Sequence, residues 1–484
     1  LLAGAGGLRA QSEASQAAGA ASYDRAGVTL AQAGQILEAV AQFQKALEIQ
    51  TDFPEARYHL GLAYERLGRT DEAMAQVLEA LRLRPELVEA RYLLAGCCRK
   101  RGDFGGELRL LAEVTTRAPA FAEAHYNLGL AFKSREKVRE ALDHLRTAAR
   151  LEPKNPRFAL ALGTTLAEQT GPDAAAVLRT AVQLDPNNPE ALYNLALALA
   201  ADGNADDAVQ FFRAAIERSP QHASAHRGLG VALMHQGKLA ASLEEFRRAL
   251  EISPGDAEAA NNLGLAQLRM KDTAGAIQSL EHAVQLNQRL IKAHFNLAQA
   301  YQRSGRTADA RRESDRGAAL TAEQRNRGQA MVLVQAAAQR SQAGDYSGSL
   351  AQLQEAVKLS PDFVDAQFEL GRAIRESGGD ASEAIRIFRR ALNLDPERAD
   401  IHYEMGLTLE RSGRMTEAFE EFKASVEMAP CYVDAHRALG RIALITGDSP
   451  TALSQFRTVL IWEPQQKEAR LGLERALALQ SRSR

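Results

Sequence analysis

The side chains best suited to redox or metal chemistry are three cysteines and ten histidines. Cys97 and Cys98 are adjacent and Cys431 lies far along the chain, so no C-x-x-C pair offers zinc or thiol-exchange spacing. Adjacent cysteines are poor partners for each other, and three thiols do not make a disulfide framework. Five histidines, His125, His226, His294, His402 and His436, recur at one position of a repeating pattern. Equivalent residues of consecutive helix pairs stand roughly 10 Å apart, too far to share an ion, so these read as half-buried aromatic substitutes at repeat boundaries. Neither H-E-x-x-H nor G-x-S-x-G occurs. The glycines of GVALMHQGK (Gly230–Lys238) have six residues between them rather than four and do not follow a strand, so this is not a phosphate-binding loop. Neither an enzyme nor a metal or cofactor site is expected.

A second set of side chains suits peptide chemistry. Asn127, Asn194, Asn262 and Asn296 share one repeat position, and Tyr58, Tyr92, Tyr126, Tyr193, Phe295, Phe368 and Tyr403 share the position before it. An amide side chain pairs with both the N–H and the C=O of an extended backbone, and tyrosine adds rigid amphipathic area.

The elements that must carry these residues are written in the prolines. Pro85, Pro119 and Pro153 are 34 apart, as are Pro186, Pro220 and Pro254; Pro361, Pro396, Pro430 and Pro464 follow at 35, 34 and 34. The other five, Pro54, Pro156, Pro172, Pro189 and Pro450, fall at helix starts or turns, so proline marks boundaries throughout. Between boundaries lie two amphipathic helical patterns and a turn that usually carries glycine: Gly34, Gly68, Gly102, Gly203, Gly237, Gly305, Gly344, Gly378, Gly413 and Gly447. Thirteen such repeats run from Ala20 to Gln466. With Pro54 as position 1, position 8 is Gly or Ala in all thirteen (Gly61, Gly230, Gly440) and position 24 is large and apolar in twelve (Phe43, Phe246, Phe422). A large side chain of the second helix therefore fills the space left by a small residue of the first.

Composition agrees. The chain has 484 residues, 45% hydrophobic and 25% charged, too apolar for a disordered protein. Lys+Arg number 59 against 61 Asp+Glu, which removes the basic surplus that a nucleic-acid partner would require. No apolar run is long enough for a membrane span.

The pattern L-G/A at positions 7 and 8, Tyr or Leu at 11, Ala at 20, Phe or Leu at 24, Ala at 27 and Pro at 32 resembles the tetratricopeptide repeat. It is clear in EARYHLGLAYERLGRTDEAMAQVLEALRLRP (Glu55–Pro85) and covers nearly the whole chain. The resemblance implies an all-α, right-handed superhelical solenoid of about thirteen helix-turn-helix units with a concave groove lined mostly by first helices. It further implies that positions 2, 5, 6, 9, 12 and 13 face that groove. Tyr126, Asn127, Tyr193, Asn194, Arg227, Asn262, Lys292, Phe295 and Asn296 are then the candidate peptide-binding residues. The superhelix is similar to the tetratricopeptide portion of the O-linked N-acetylglucosamine transferases, whose asparagine ladder the four asparagines resemble, without a catalytic domain. Similarity to the carboxylate clamp of chaperone-binding tetratricopeptide domains is partial: Arg227, Asn262 and Lys292 match, but Val231 and Asn296 replace the clamp's Asn and Arg.

The expected organisation is an N-terminal stretch (1–19), repeats one to nine (20–324), an insertion (325–329), repeats ten to thirteen (330–466), and a capping helix with tail (467–484). In repeat nine Ser314 and Gly317 replace Phe/Leu and Ala, and Arg311, Arg312 and Arg316 crowd the helix, so a hinge or break of the superhelix is expected near 322–329. LLAGAGGLRAQSEAS reads as the tail of a secretory signal cleaved near Ala10, giving a periplasmic or secreted protein, or as the disordered start of a cytoplasmic one. Gln11 stands where a lipoprotein needs Cys. The expected function is a non-catalytic scaffold holding an extended peptide or partner helix in its groove. The alternatives are a targeting or regulatory subunit of a separate enzyme such as a glycosyltransferase, or a structural part of an envelope or secretion assembly.

Overall fold

The computed structural model describes residues 2–169, 173–463 and 465–482, and side chains within them from residue 16 to residue 481. Pro172, Pro464 and the side chains around Ala10 lie outside the described residues. All regular structure among the described residues is helical. The first repeats are α1 (Leu2–Gln32) with α2 (Ile36–Ile49), α3 (Pro54–Arg66) with α4 (Thr70–Leu83), and α5 (Val88–Lys100) with α6 (Phe104–Arg117). Next come α7 (Ala122–Lys133) with α8 (Val138–Leu151), α9 (Pro156–Glu168) with α10 (Ala174–Leu184), and α11 (Pro189–Ala201) with α12 (Ala205–Arg218). They are followed by α13 (Ala223–His235) with α14 (Leu239–Ile252), α15 (Ala257–Arg269) with α16 (Thr273–Leu286), and α17 (Ile291–Arg303), which leads into α18 (Thr307–Gln342). The rest are α19 (Tyr346–Leu359), α20 (Val364–Glu376) with α21 (Ala381–Leu394), α22 (Ala399–Arg411) with α23 (Met415–Met428), α24 (Val433–Thr446) with α25 (Ser449–Trp462), and α26 (Lys467–Arg482).

The sequence register is the packing register. All ten turn glycines take the left-handed conformation, Gly237 at φ 76° for example, which reverses the chain between two helices without straining a side chain. In the fourth and eighth repeats Glu136 and Lys271 occupy that conformation instead, at φ 57° and 66°. At position 8, a Cβ added to Gly230 would lie 2.6 Å from the Phe246 ring, and one added to Gly264 would lie 2.5 Å from Leu280. Phe246 and Leu280 are fully buried, so two helices interlock at each such contact. In α26, Ala469 and Ala476 are buried against Phe456, while Glu474, at position 8, is exposed.

The helices pack as two compact bodies. Body 1 comprises residues 1–131 and 333–484, and body 2 comprises residues 132–332. In body 2, α9, α11, α13 and α15 each contact the next first helix along the series, up to α17, so their equivalent positions line up on one face. Body 1 repeats this with α1, α3 and α5, with α20 and α22, and with α24 and α26.

Two features depart from a regular run of repeats. α18 is one uninterrupted helix of 36 residues that passes through 325–329, so the inserted residues are helical. No proline occurs within Thr307–Gln342, so every residue of α18 keeps its backbone N–H for a helical hydrogen bond. The boundary of body 2, at Val332, falls three residues beyond the insertion and inside α18. The second departure is a disulfide between Cys98 and Cys431, 333 residues apart, which joins the two chain segments of body 1. Cys97 is a free, buried thiol.

Candidate functional site

The position-4 histidines are structural ties. His226 Nδ1 lies 2.7 Å from the Glu245 carboxylate and its Nε2 lies 3.3 Å from the Pro220 carbonyl. His294 repeats this with Glu313 at 2.7 Å and the Gln288 carbonyl at 3.0 Å. His436 does so with Gln455 at 2.5 Å and the Pro430 carbonyl at 2.9 Å. His402 meets Glu421 at 2.6 Å, and His125 meets the Pro119 carbonyl at 3.2 Å. Each ring thus pins the inter-repeat turn, its own second helix, or both. Burial pushes the basicity of His436 down. The signal in the sequence, for all but His125, is an acid or amide nineteen residues after the histidine.

The peptide-type residues fall in both bodies. In body 2, Asn296 on α17 donates from Nδ2 to Asn261 Oδ1 on α15 at 2.8 Å, and Asn261 in turn donates to Asn262 Oδ1 at 3.3 Å. Asn261 is buried and ties two first helices together; it stands one position before the asparagine row, where seven repeats carry an aromatic, and so falls outside the pattern read from the sequence. Asn194 on α11 donates to the Glu190 carbonyl at 2.8 Å and to its carboxylate at 3.1 Å. Tyr193 is half-buried with its ring 4.9 Å from that of His222 and 6.0 Å from that of Phe212, and burial raises its hydroxyl pKa. Phe295 on α17 is 41% exposed, Leu197 on α11 is 39% exposed, and Lys292 is exposed. In body 1, Asn127 on α7 donates to the Tyr92 hydroxyl on α5 at 2.5 Å, the same contact from one repeat to the one before it, with Tyr126 beside it half-buried.

Charge on these faces is mostly internally satisfied. Arg227 Nε lies 3.1 Å from the Asp256 carboxylate, which also caps α15 by accepting from the Ala259 N–H. The cation of the partial clamp therefore already holds a carboxylate. In the C-terminal segment of body 1, Arg375 pairs with Glu404 at 2.8 Å, and Arg441 grips Glu410 through two hydrogen bonds of 2.9 and 2.6 Å. Burial raises the carboxyl pKa of Glu369 and of Glu404. These charges form a half-buried network on one face rather than a freely solvated one.

Among the described residues, one group of side chains has metal-ligand proximity: Cys98, Asp103 and Cys431, whose ligand atoms lie within 4.8 Å of one another. Two of the three are consumed by the disulfide. Among the described residues no helix is long and apolar enough to cross a membrane.

A sequence model described as tetratricopeptide repeat matches residues 108–156, 126–171, 160–223, 212–257, 336–378 and 374–432, together more than half of the chain. Other models of the repeat match 27–68, 54–87, 257–289 and 292–316. No curated protein sequence matches the chain. Similar solved structures include the Cut9–Hcn1 hetero-tetramer of the APC/C, with 17% identity, 93% of this chain and 95% of that chain covered, and a TM-score of 0.40. YrrB, described as a TPR protein with an unusual peptide-binding site, has 24% identity over 45% of this chain and 95% of that chain, with a TM-score of 0.28. MamA of Desulfovibrio magneticus RS-1 has 25% identity over 35% of this chain and 96% of that chain, with a TM-score of 0.32.

Proposed function

Because the chain belongs to the tetratricopeptide repeat family, we propose that it is a non-catalytic interaction scaffold that binds an extended peptide along the first-helix face of body 2. The observation that carries this reading is the string of amides Asn261, Asn262 and Asn296 linked across α15 and α17. An amide has two N–H donors and two acceptor lone pairs. Asn296 spends one N–H on Asn261, and Asn262 spends one lone pair, so each keeps a donor and an acceptor for a peptide backbone. The internal hydrogen bonds fix the amide planes in advance, which lowers the ordering cost of binding. Phe295, Tyr193 and Leu197 supply apolar contact area, and Lys292 supplies a cation. Asn194 offers the same amide chemistry on α11, held by Glu190 of its own helix. Tyr126 and Asn127 offer the same chemistry on the first-helix face of body 1.

Backbone recognition of this kind demands little of the peptide's sequence, so selectivity falls to the few side-chain contacts. The test is selection of binders from a random peptide library against the intact chain, followed by fluorescence anisotropy with the Asn194→Ala, Asn262→Ala double variant. The expected result is a loss of affinity of about tenfold or more, two lost backbone hydrogen bonds at ~1 kcal/mol each, with unchanged helicity. Equal affinity of parent and variant rules out the asparagine row.

A further inference from the structure

We infer that the Cys98–Cys431 disulfide is an oxidative fastening on which the docking of the two chain segments of body 1 depends. The position of Cys431 carries the argument. It follows Pro430 at the turn between repeats, and its equivalents Glu86, Lys154, Asn187, Gln221, Arg289 and Glu397 are all exposed. Cys431 is fully buried, as is Cys98. A turn residue that every other repeat gives to solvent is here taken into a made-to-fit site on α5 and α6.

That site is built from several independent choices. The buried Asp103 carboxylate, which caps α6 by accepting from the Gly106 N–H at 2.8 Å, accepts the Cys431 N–H with its other oxygen at 2.9 Å. Arg109 donates to the Cys431 carbonyl. Its guanidinium also lies 5.4 Å from the ring centre of Trp462, the one tryptophan of the chain, at the end of α25. A Cβ on Gly106 would stand 2.5 Å from the Cys431 Cβ, so glycine is what lets the turn approach. α25 also packs against α4. Both backbone groups of Cys431 and its sulfur are therefore engaged by the other segment.

The chemistry balances as thiol–disulfide exchange with an oxidised dithiol donor. One cysteine thiolate attacks a donor sulfur, breaking the donor's S–S bond and forming a mixed disulfide. The second thiolate then attacks the sulfur of the first cysteine, forming Cys98–Cys431 and releasing the donor as a dithiol, with the two protons lost by the cysteines taken up by the donor or solvent. With both sulfurs buried, a reducing thiol reaches the finished bond only after local opening, so the fastening persists wherever the surroundings are oxidising.

The test uses the full chain purified without reductant. Intact mass should lie two hydrogens below that of the reduced chain, unfolding without reductant should leave one alkylatable thiol, and peptide mapping should join 98 to 431. Reduction by a phosphine should then speed amide exchange at residues 106–109 and 431–436 by at least about tenfold, with body 2 unchanged. Cys97→Ser should behave as the parent, and Cys98→Ser as the reduced chain. Three alkylatable thiols in the unreduced chain, a Cys97–Cys431 linkage, a retained zinc ion in place of the bond, or exchange rates indifferent to reduction would each overturn the inference.

Discussion

Replacing Gly406 by alanine tests the interlock that builds every repeat. Gly406 is at position 8 of α22, and a Cβ there would lie 2.7, 2.8 and 3.1 Å from three carbons of the Phe422 ring, which is itself fully buried. Two effects oppose each other. Alanine in a helix interior is favoured over glycine by about 0.8–1 kcal/mol. Overpacking a filled core costs roughly 1–3 kcal/mol. Gly96, inside α5, separates the two, because nothing lies within 4 Å of a Cβ built there. Gly96→Ala should then stabilise its helix by close to the propensity gain, and the difference between the two variants should equal the overpacking cost alone, ~1–3 kcal/mol. A single global transition is not assured in a repeat array, so the assay is hydrogen exchange read separately over α5–α6 and α22–α23. Phe422→Leu combined with Gly406→Ala should recover part of the loss, giving a coupling energy of about 1 kcal/mol. Equal stabilisation by Gly96→Ala and Gly406→Ala would refute the large-into-small account.

Other consequences follow from individual groups. Burial pushes the Cys97 thiol up to about 11, so its alkylation in the folded chain should climb about tenfold per pH unit toward that value; a plateau near pH 9 would contradict the burial. Asp345 caps α19, and the Gly348 N–H with Arg340 holds its carboxyl below the usual 3.8. Its contribution is therefore complete above pH 3.8 and lost as pH falls through the lower folded value, so amide protection at the start of α19 should converge with that of Asp345→Ala under acid conditions and differ at neutral pH. Asp256→Asn keeps an N-cap acceptor while releasing Arg227. Peptides selected by the chain should gain affinity on this change when they end in a free carboxylate and not when they are amidated, as anisotropy would show.

What was legible in the sequence is what is local to one repeat. A proline at a fixed interval, a turn glycine at φ near 80° and a small residue at position 8 are each read within about 34 residues, and all recur in the structure. The fusion of two helices into α18 leaves no mark of this kind, because Thr307–Gln342 carries no proline and Arg325–Gln329 interrupts the repeat interval. Long-range pairing leaves no periodic trace. Nothing in the spacing of Cys97, Cys98 and Cys431 selects Cys98–Cys431, because the partner is set by the approach of a turn 333 residues away. The amide row was half legible. Asn262 and Asn296 stand at the same repeat position, but the buried Asn261 that orients both is visible only once α15 and α17 are side by side.

The central claim is that peptide lies on the first helices of body 2, and site-directed photocrosslinking addresses it most directly. A benzophenone amino acid placed at Phe295, exposed on α17, is compared with one at His282, exposed on the second helix α16. The account predicts that a library-selected peptide crosslinks from position 295 and not from 282. Capture from 282, or from neither position by a peptide that binds the chain, would contradict it.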